Sequence, residues 1–119
     1  MNRAFILLGT NLGDKMANLQ KAIVLIKSEL CTIVLYSGIY ETAAWGNTNQ
    51  DNFYNQVIEV NTELSANDLL QKLLQIETQM GRVRNEKWEA RIIDLDILYF
   101  NHEIIDTENL KIPHPYLHV

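Results

Sequence analysis

The chain has 119 residues, of which 47% are hydrophobic and 21% are charged, a balance typical of one globular domain with a modest core. Its net charge of −5 at pH 7 argues against a nucleic acid or an anionic membrane as the main partner. The single cysteine, Cys31, excludes an internal disulfide framework and a cysteine-rich zinc cluster, and it fits a reducing cytoplasm. The short apolar run near the start is followed closely by Asp14, so we expect neither a signal peptide nor a membrane span.

Hydrophobic periodicity predicts secondary structure in the order β-α-β-β-α-β. The predicted strands and helices are strands at residues 3–8, 32–41, 53–61 and 91–100 and helices at residues 14–30 and 65–80. We expect Asn11 or Asp14 to cap the first helix, Ser65 to cap the second, and Gly81 to end it. Two helices that each connect strands, with a hairpin between them, predict an α+β ferredoxin-like two-layer sandwich. Its antiparallel sheet would carry both helices on one face.

The last predicted strand, RIIDLDILYF, is apolar yet contains two carboxylates, Asp94 and Asp96. Because side chains alternate along a strand, we expect both to share one face with Ile92, Leu98 and Phe100, with their own Cα atoms roughly 6–7 Å apart. An ordinary solvated face is one interpretation. The other is a metal site, since two close carboxylates in partly apolar surroundings call for a cation between them. Carboxylates without His or Cys suit Mg²⁺, which completes its octahedron with water and phosphate oxygens.

A basic segment, GRVRNEKWEAR, leads directly into this strand. It contains Arg82, Arg84, Lys87 and Arg91, and so holds three of the chain's four arginines. Single basic residues usually mean a solvated loop. Arginines grouped beside two carboxylates predict a polyphosphate site instead, because the guanidinium fork matches phosphate oxygens. We interpret Trp88, in the same segment, as a cover for a bound ring.

Two stretches on either side of the hairpin loop, YETAAWG and NFYNQV, combine small polar residues with aromatic ones. Thr42 and Asn55 lie close in sequence to Trp45 and Phe53, and an amide between aromatic rings forms a slot for a flat heterocycle. Ordinary core aromatics at a strand end are the simpler alternative.

Glu77 and His114 each have two interpretations. Glu77 lies beside the apolar face of the second helix, either with its carboxylate in water or paired with an arginine of the next loop. His114 stands between two prolines, and it either binds a ligand or lies in a surface turn.

Together these motifs resemble those of the 6-hydroxymethyl-7,8-dihydropterin pyrophosphokinase family over essentially the whole chain. LLGTNLGD is similar to the family's LGSNLGD, YETAAWG to Y-x-T-x-P-x-G, and FYNQV to its substrate-loop exit. GRVRNEKWEARIIDLDILYF is similar to the signature R-W-x-P-R-x-x-D-L-D-I, and IPHP to V/I-P-H-P. The resemblance implies a ferredoxin-like fold and transfer of the β,γ-pyrophosphoryl group of ATP to the pterin hydroxymethyl oxygen, releasing AMP, in folate biosynthesis.

The resemblance also implies a set of site residues. The catalytic residues would be Arg82, Arg91, Asp94 and Asp96, with both aspartates binding two Mg²⁺ ions that bridge the triphosphate. The residues implied along ATP are Leu70, Glu77, Arg82, Arg84, Lys87, Trp88, Arg91, Ile97, Leu110, Lys111, His114 and Tyr116. The residues implied around the pterin are Thr42, Ala43, Ala44, Trp45, Phe53, Asn55 and Asp94. The partners would be these two small substrates, with no nucleic acid and no membrane, and we expect a cytoplasmic monomer, with a homodimer as the alternative.

The chain departs from the family pattern at several points. Ala44 and Ala90 stand where the family has proline, and Asn109 stands where it has an arginine near ATP. Family members also continue beyond P-H-P with a further strand, an arginine that contacts ATP and an aromatic that stacks on the pterin. We therefore expect one domain over residues 1–119 that lacks this segment. A truncated or non-catalytic nucleotide- or pterin-binding ferredoxin-like module is the alternative, and a metal-free regulatory domain ranks last.

Overall fold

The structure is a computed structural model that describes residues 1–29, 31–44, 50–81 and 91–114. Its strands and helices, in chain order, are β1 (Asn2–Thr10), α1 (Lys15–Glu29), β2 (Thr32–Tyr36), β3 (Tyr40–Thr42), β4 (Phe53–Thr62), α2 (Ala66–Gln79), β5 (Asp94–Phe100), β6 (Ile105–Asp106) and β7 (Lys111–Ile112). No helix in these ranges is long and apolar enough to cross a membrane.

The main sheet is antiparallel and has the strand order β2-β4-β1-β5, with β3 also paired to β4. The helix α1 connects β1 to β2, and α2 connects β4 to β5; neither of these strand pairs is adjacent in the sheet. As a result, β1 lies between β4 and β5. This arrangement confirms the predicted ferredoxin-like sandwich. The central strand β1 therefore sets the positions of β4 and β5 relative to each other.

Both helices pack on one face of the sheet and enclose a single core. Burial of a leucine or isoleucine side chain contributes about 1.5–3 kcal/mol, which is far more than helix propensity supplies. The central residues of this core are Ala4, Ile6 and Leu8 of β1, Leu19, Ala22 and Ile26 of α1, and Leu69, Leu73 and Ile76 of α2. The opposite face of the sheet carries no helix in the described part of the chain.

The structure confirms the predicted caps and decides between the two candidates for the first helix. The side chain of Asp14 accepts a hydrogen bond from the Ala17 N–H at 3.1 Å, so Asp14 caps α1 and Asn11 does not. Ser65 caps α2 as predicted, since its hydroxyl accepts the Asp68 N–H at 3.1 Å. Gly81 follows the last turn of α2 with a φ of 94°, a conformation that glycine adopts without strain.

The prediction of one continuous strand over residues 32–41 was wrong. Two shorter strands, β2 and β3, are present instead, and they are separated at Ser37. There the side-chain hydroxyl of Ser37 takes the place of a backbone carbonyl as the acceptor for β4. The Val57 N–H donates to the Ser37 hydroxyl at 2.8 Å, and the Ser37 N–H donates to the Val57 carbonyl at 2.8 Å. The short strands β6 and β7 were not predicted either, because two residues carry no periodicity.

The predicted alternation of faces along the last strand ends at Ile97. The pairing of β5 with β1 shifts register there, as in a β-bulge, and Phe5 lies opposite Tyr99. We had expected Phe100 on the face of the two aspartates. Because of the register shift it lies in the core instead, where it is 1% exposed. Tyr99 takes the open face instead, edge-on to Phe5 with ring centroids 6.3 Å apart.

Replacing Ser65 by alanine removes the acceptor for the Asp68 N–H at the start of α2. We expect the free energy of unfolding, measured by urea denaturation, to fall by about 1 kcal/mol. Ser28→Ala is the control, because the Ser28 hydroxyl donates to the Leu25 carbonyl within α1 and caps no helix start. That variant should change stability by less than about 0.5 kcal/mol. Equal losses in the two variants would contradict the assignment of Ser65 as the cap.

Candidate active site

Polar side chains from three neighbouring strands meet on the open face of the sheet. Gly9 of β1 lies opposite Asn55 of β4 on one side and Asp94 of β5 on the other. Two residues earlier, Leu7 lies opposite Asp96. Adjacent strands are separated by roughly 4.8 Å, so the amide and the first carboxylate lie about 10 Å apart across one glycine. The sheet therefore holds an amide and two acids in fixed positions around a shallow depression.

The two aspartates each contact a cationic group. Their side chains are 23% and 33% exposed, so neither carboxylate is fully solvated. A guanidinium nitrogen of Arg91 lies 3.3 Å from the carboxylate of Asp94, and Nε2 of His114 lies 3.6 Å from that of Asp96. These flanking groups reduce the repulsion between two like charges that project from one face of β5.

His114 reaches the acid pair from the edge of the sheet. Its backbone N–H donates to the carbonyl of Leu98 at 3.0 Å, which anchors the chain beside β5. The pKa of His114 is raised above its usual value, chiefly by its contact with the Asp96 carboxylate; partial burial opposes this, and the charges of Asp96 and Asp94 add to it. At 3.6 Å the contact is an ion pair rather than a full hydrogen bond. The structure therefore places the His114 imidazole against the acid pair.

Glu77 lies behind the acid pair, between α2 and β5. It is 2% exposed, and its carboxylate accepts the backbone N–H of Leu95 at 2.8 Å. The interpretation with its carboxylate in water was therefore wrong. Leu95 lies between the two aspartates on the edge strand, where an N–H without a partner would cost about 1–3 kcal/mol. This bond fixes the backbone that carries both acids.

On β4, Asn55 forms one wall of a small slot. It is 8% exposed, and its Nδ2 donates to the hydroxyl of Thr42 at 2.9 Å and to the carbonyl of Tyr40 at 3.3 Å. A Cβ atom at Gly9 would lie 3.3 Å from Asn55 Oδ1 and 3.5 Å from the ring of Phe53. The missing side chain at Gly9 thus keeps the space between the slot and the acids open.

A pocket of about 220 Å³ lies on the other side of the acids, along the outer edge of β5. Its lining combines aliphatic side chains with polar and charged ones that include Asp96 and His114. The lining residues are Leu70, Leu95, Asp96, Ile97, Glu108, Asn109, Leu110, Lys111 and His114. The slot, the acid pair and the pocket thus follow one another across the sheet, with Asp94 on the slot side and Asp96 on the pocket side.

The predicted site residues fall into three groups. The structure brings together Thr42, Phe53 and Asn55 in the slot, with Ala43 and Ala44 directly after Thr42. It brings together Arg91, both aspartates and His114, and it places Leu70, Ile97, Leu110 and Lys111 along the pocket. The predictions for Trp45, Arg82, Arg84, Lys87, Trp88 and Tyr116, and the pairing of Glu77 with an arginine of residues 82–90, lie outside the described residues.

Several contributing residues were not predicted for the site. Gly9 and Asn11 lie in the LLGTNLGD motif, for which the sequence predicted only a helix cap and a family resemblance. Glu108 and Leu95 have no local pattern that marks them as pocket residues, because the tertiary structure brings residues 108–111 against β5, to which Leu95 belongs. Conversely, the glycine-rich character of the motif was a usable sign that a backbone lies close to a neighbour.

The acid pair matches the ligand preference of one kind of metal ion. In the described ranges, no cluster of three or more His, Cys, Asp or Glu side chains is placed to hold a metal. Two aspartates alone do not complete a structural metal site. They do suit Mg²⁺, which is commonly held by one or two carboxylates and completed by phosphate oxygens and water. The residues present therefore fit a metal that arrives with a nucleotide.

Comparison with known proteins gives one consistent result. A family model described as 7,8-dihydro-6-hydroxymethylpterin-pyrophosphokinase matches residues 5–119. The chain is 42% identical over 118 residues to the 2-amino-4-hydroxy-6-hydroxymethyldihydropteridine pyrophosphokinase of Bacillus subtilis, covering 98% of this chain and 71% of that protein. It is 41% identical over 117 residues to the Aquifex aeolicus enzyme of the same name, covering 98% and 72%. It also resembles a solved HPPK-DHPS structure from Plasmodium falciparum at 22% identity and a TM-score of 0.74, over 93% of this chain and 31% of that one, which supports the fold.

The contact between His114 and Asp96 makes stability depend on pH. The raised pKa of His114 means that its protonated form is stabilised on folding, so this contribution is complete below the unfolded pKa of about 6.5. It is lost as pH rises through the higher folded pKa. We expect NMR titration of the imidazole to give a pKa above the usual value, and Asp96→Asn to lower it. Asp68→Asn, a change at an exposed acid on α2, is the control, and an equal shift there would contradict the assignment.

Proposed function

Because the chain belongs to the 7,8-dihydro-6-hydroxymethylpterin-pyrophosphokinase family, we propose that it transfers the pyrophosphoryl group of ATP to 6-hydroxymethyl-7,8-dihydropterin. The hydroxymethyl oxygen forms a bond to the β-phosphorus, the bond between that phosphorus and the α,β-bridging oxygen breaks, and AMP leaves. The product is the pterin pyrophosphate of folate biosynthesis, and the hydroxyl proton is released. One observation carries the proposal: the acid pair stands between the polar and aromatic residues around Asn55 and the pocket along β5.

The slot provides the groups that a pterin ring needs. Asn55 offers an amide edge, which pairs with the alternating donors and acceptors of a heterocycle. The ring of Phe53 provides an apolar surface beside it, and Gly9 provides clearance. A pterin bound here would direct its hydroxymethyl group across β1, over Gly9, towards Asp94, the nearer of the two acids.

The acid pair and its cationic neighbours provide the phosphate end of the site. Arg91, already 3.3 Å from Asp94, presents a guanidinium fork that suits the transferring group. Two Mg²⁺ ions held by Asp94 and Asp96 would supply charge neutralisation for the triphosphate. His114 lies beside Asp96 at the entrance of the pocket and would donate to a phosphate oxygen when protonated. Transfer of this kind depends mostly on positioning and on charge neutralisation.

The pocket along β5 suits the nucleoside part of ATP. Leu70, Ile97 and Leu110 provide aliphatic surface, and Lys111 lies at its rim. The residues of the basic segment, Arg82 to Trp88, are proposed to complete the ATP site as the family resemblance implies. The order slot, acids, pocket supports an arrangement with the attacking oxygen and the leaving AMP on opposite sides of the transferred group.

We further propose that the chain acts as a single domain over residues 1–119, as a monomer in the cytoplasm. The slot, the acid pair and the pocket all belong to one chain and rest on one hydrophobic core. A single partly buried cysteine, whose pKa burial raises to about 11, suits a reducing compartment.

AMP release from ATP tests the proposed reaction. We expect AMP only when Mg²⁺, ATP and 6-hydroxymethyl-7,8-dihydropterin are all present. Asp96→Asn should lower kcat/KM by at least about 100-fold, because it removes a charge at the reacting triphosphate. Asp68→Asn, with the same chemical change on α2, should retain activity within about twofold. Binding of ATP with Mg²⁺ but no AMP from a folded chain would indicate a binding module instead of an enzyme.

Gly9→Ala tests the slot separately from the phosphate site. The added methyl group would stand 3.3 Å from Asn55 Oδ1, closer than ordinary van der Waals contact. We expect the KM for the pterin to rise about tenfold, which corresponds to about 1.4 kcal/mol, with the KM for ATP within about twofold. Gly38→Ala is the matched control, because a Cβ there meets no atom within 4 Å. If both variants behave alike in steady-state kinetics, the slot is not where the pterin binds.

A further inference from the structure

Asn11 is a buried polar residue that the proposed mechanism does not use. It lies in the turn after β1 and is 2% exposed. It does not cap α1, since Asp14 does so. A fully buried amide requires hydrogen-bond partners, and the partners of Asn11 lie far away along the chain.

The first partners of Asn11 are the backbone N–H and the backbone carbonyl of Arg91. Asn11 Oδ1 accepts the Arg91 N–H at 2.7 Å, and the Asn11 N–H donates to the Arg91 carbonyl at 3.0 Å. Both ends of the Arg91 backbone are thus held by one residue, 80 positions earlier in the chain. The Thr10 hydroxyl adds a longer contact of 3.4 Å to the same carbonyl. These three hydrogen bonds fix the backbone position of Arg91, and so they determine where its guanidinium group lies relative to Asp94.

The second set of partners lies just before β4. Asn11 Nδ2 donates to Gln50 Oε1 at 3.2 Å and to the carbonyl of Asp51 at 3.1 Å. Lys15, in the first turn of α1, donates to the carbonyl of Asn52 at 3.2 Å and supports the same segment. These residues lead directly into β4, whose first residue is Phe53.

We propose that Asn11 is a positioning residue that couples the pterin slot to the triphosphate-binding arginine. The inference rests on the proposed function, which assigns residues 50–55 to the pterin and Arg91 to the triphosphate. The carboxamide is the group that suits this role, since it accepts from Arg91 with its oxygen and donates twice to residues 50 and 51 with its nitrogen. An aspartate keeps the acceptor and loses both donors.

This link has a thermodynamic consequence. A shift of residues 50–52 on pterin binding would be transmitted through the Asn11 side chain to the backbone of Arg91. A triphosphate held by Arg91 acts in the reverse direction, and coupling between two binding sites must be reciprocal. Each substrate is therefore expected to bind more tightly when the other is present, with Asn11 carrying much of the effect.

The experiment measures this coupling by isothermal titration calorimetry. The pterin Kd is determined without and with saturating Mg²⁺ and an ATP analogue that has a methylene group at the reacting α,β bridge. In Asn11→Asp we expect the ratio of the two Kd values to fall to within about twofold of one, while the ATP-analogue Kd measured alone changes by less than about threefold. Asn67→Asp is the control, because it makes the same chemical change at an exposed residue of α2. Its ratio should equal that of the wild type.

The outcomes separate the inference from the proposed function. A wild-type ratio above one that Asn11→Asp preserves overturns the inference and leaves the proposed function intact. A wild-type ratio of one overturns the inference as well. A folded wild type that binds neither ligand overturns both. If Asn11→Asp does not fold, Gln50→Ala removes one of the Nδ2 contacts from the other side, and a ratio reduced by at least about threefold supports the coupling, while an unchanged ratio overturns it.

Discussion

The antiparallel pairing of β1 with β4 on one side and β5 on the other is the constraint on which the site depends. A ladder register fixes which residues stand opposite each other, and one step of slippage would move every side chain to the other face. Here the register puts Asn55, Gly9 and Asp94 in one row across the open face. The core on the opposite face maintains this register, because a slip would expose Ile6 and Leu8 and bury the polar row.

Electrostatics explains why two carboxylates, Asp94 and Asp96, are tolerated on the open face. Each is partly removed from water, so an isolated pair would favour protonation of one member. Arg91 and His114 approach from opposite ends and offset part of the repulsion, while Glu77 holds the intervening backbone from behind. The hydrogen bond from the Leu95 N–H to Glu77 thus gives this edge N–H a partner and orients the two acids. The arrangement is prepared for additional positive charge, which suits a metal–nucleotide complex.

Hydrogen bonds, rather than apolar burial, determine how the loops around the site are placed. The core ends near Leu8 and Ile93, and beyond it the chain is held by amide and hydroxyl groups such as those of Asn11 and Thr10. Such contacts are directional, so they fix distances between segments that share no hydrophobic surface. They also respond to loss of a single donor, which makes them suitable for transmitting the presence of one substrate to the site of the other.

The sequence by itself determined the fold class, the two helices with the Ser65 cap of the second, and the acid pair on one face of the last strand. It did so because periodicity and capping are local, and because alternation along β5 holds through Asp94 and Asp96. Only the tertiary structure decided the break at Ser37, the inward turn of Phe100 after the shift in register, the burial of Glu77 and the link from Asn11 to Arg91. Each of these depends on a partner that is distant in sequence, and no local pattern specifies which strand edge or loop will come to lie beside a given residue.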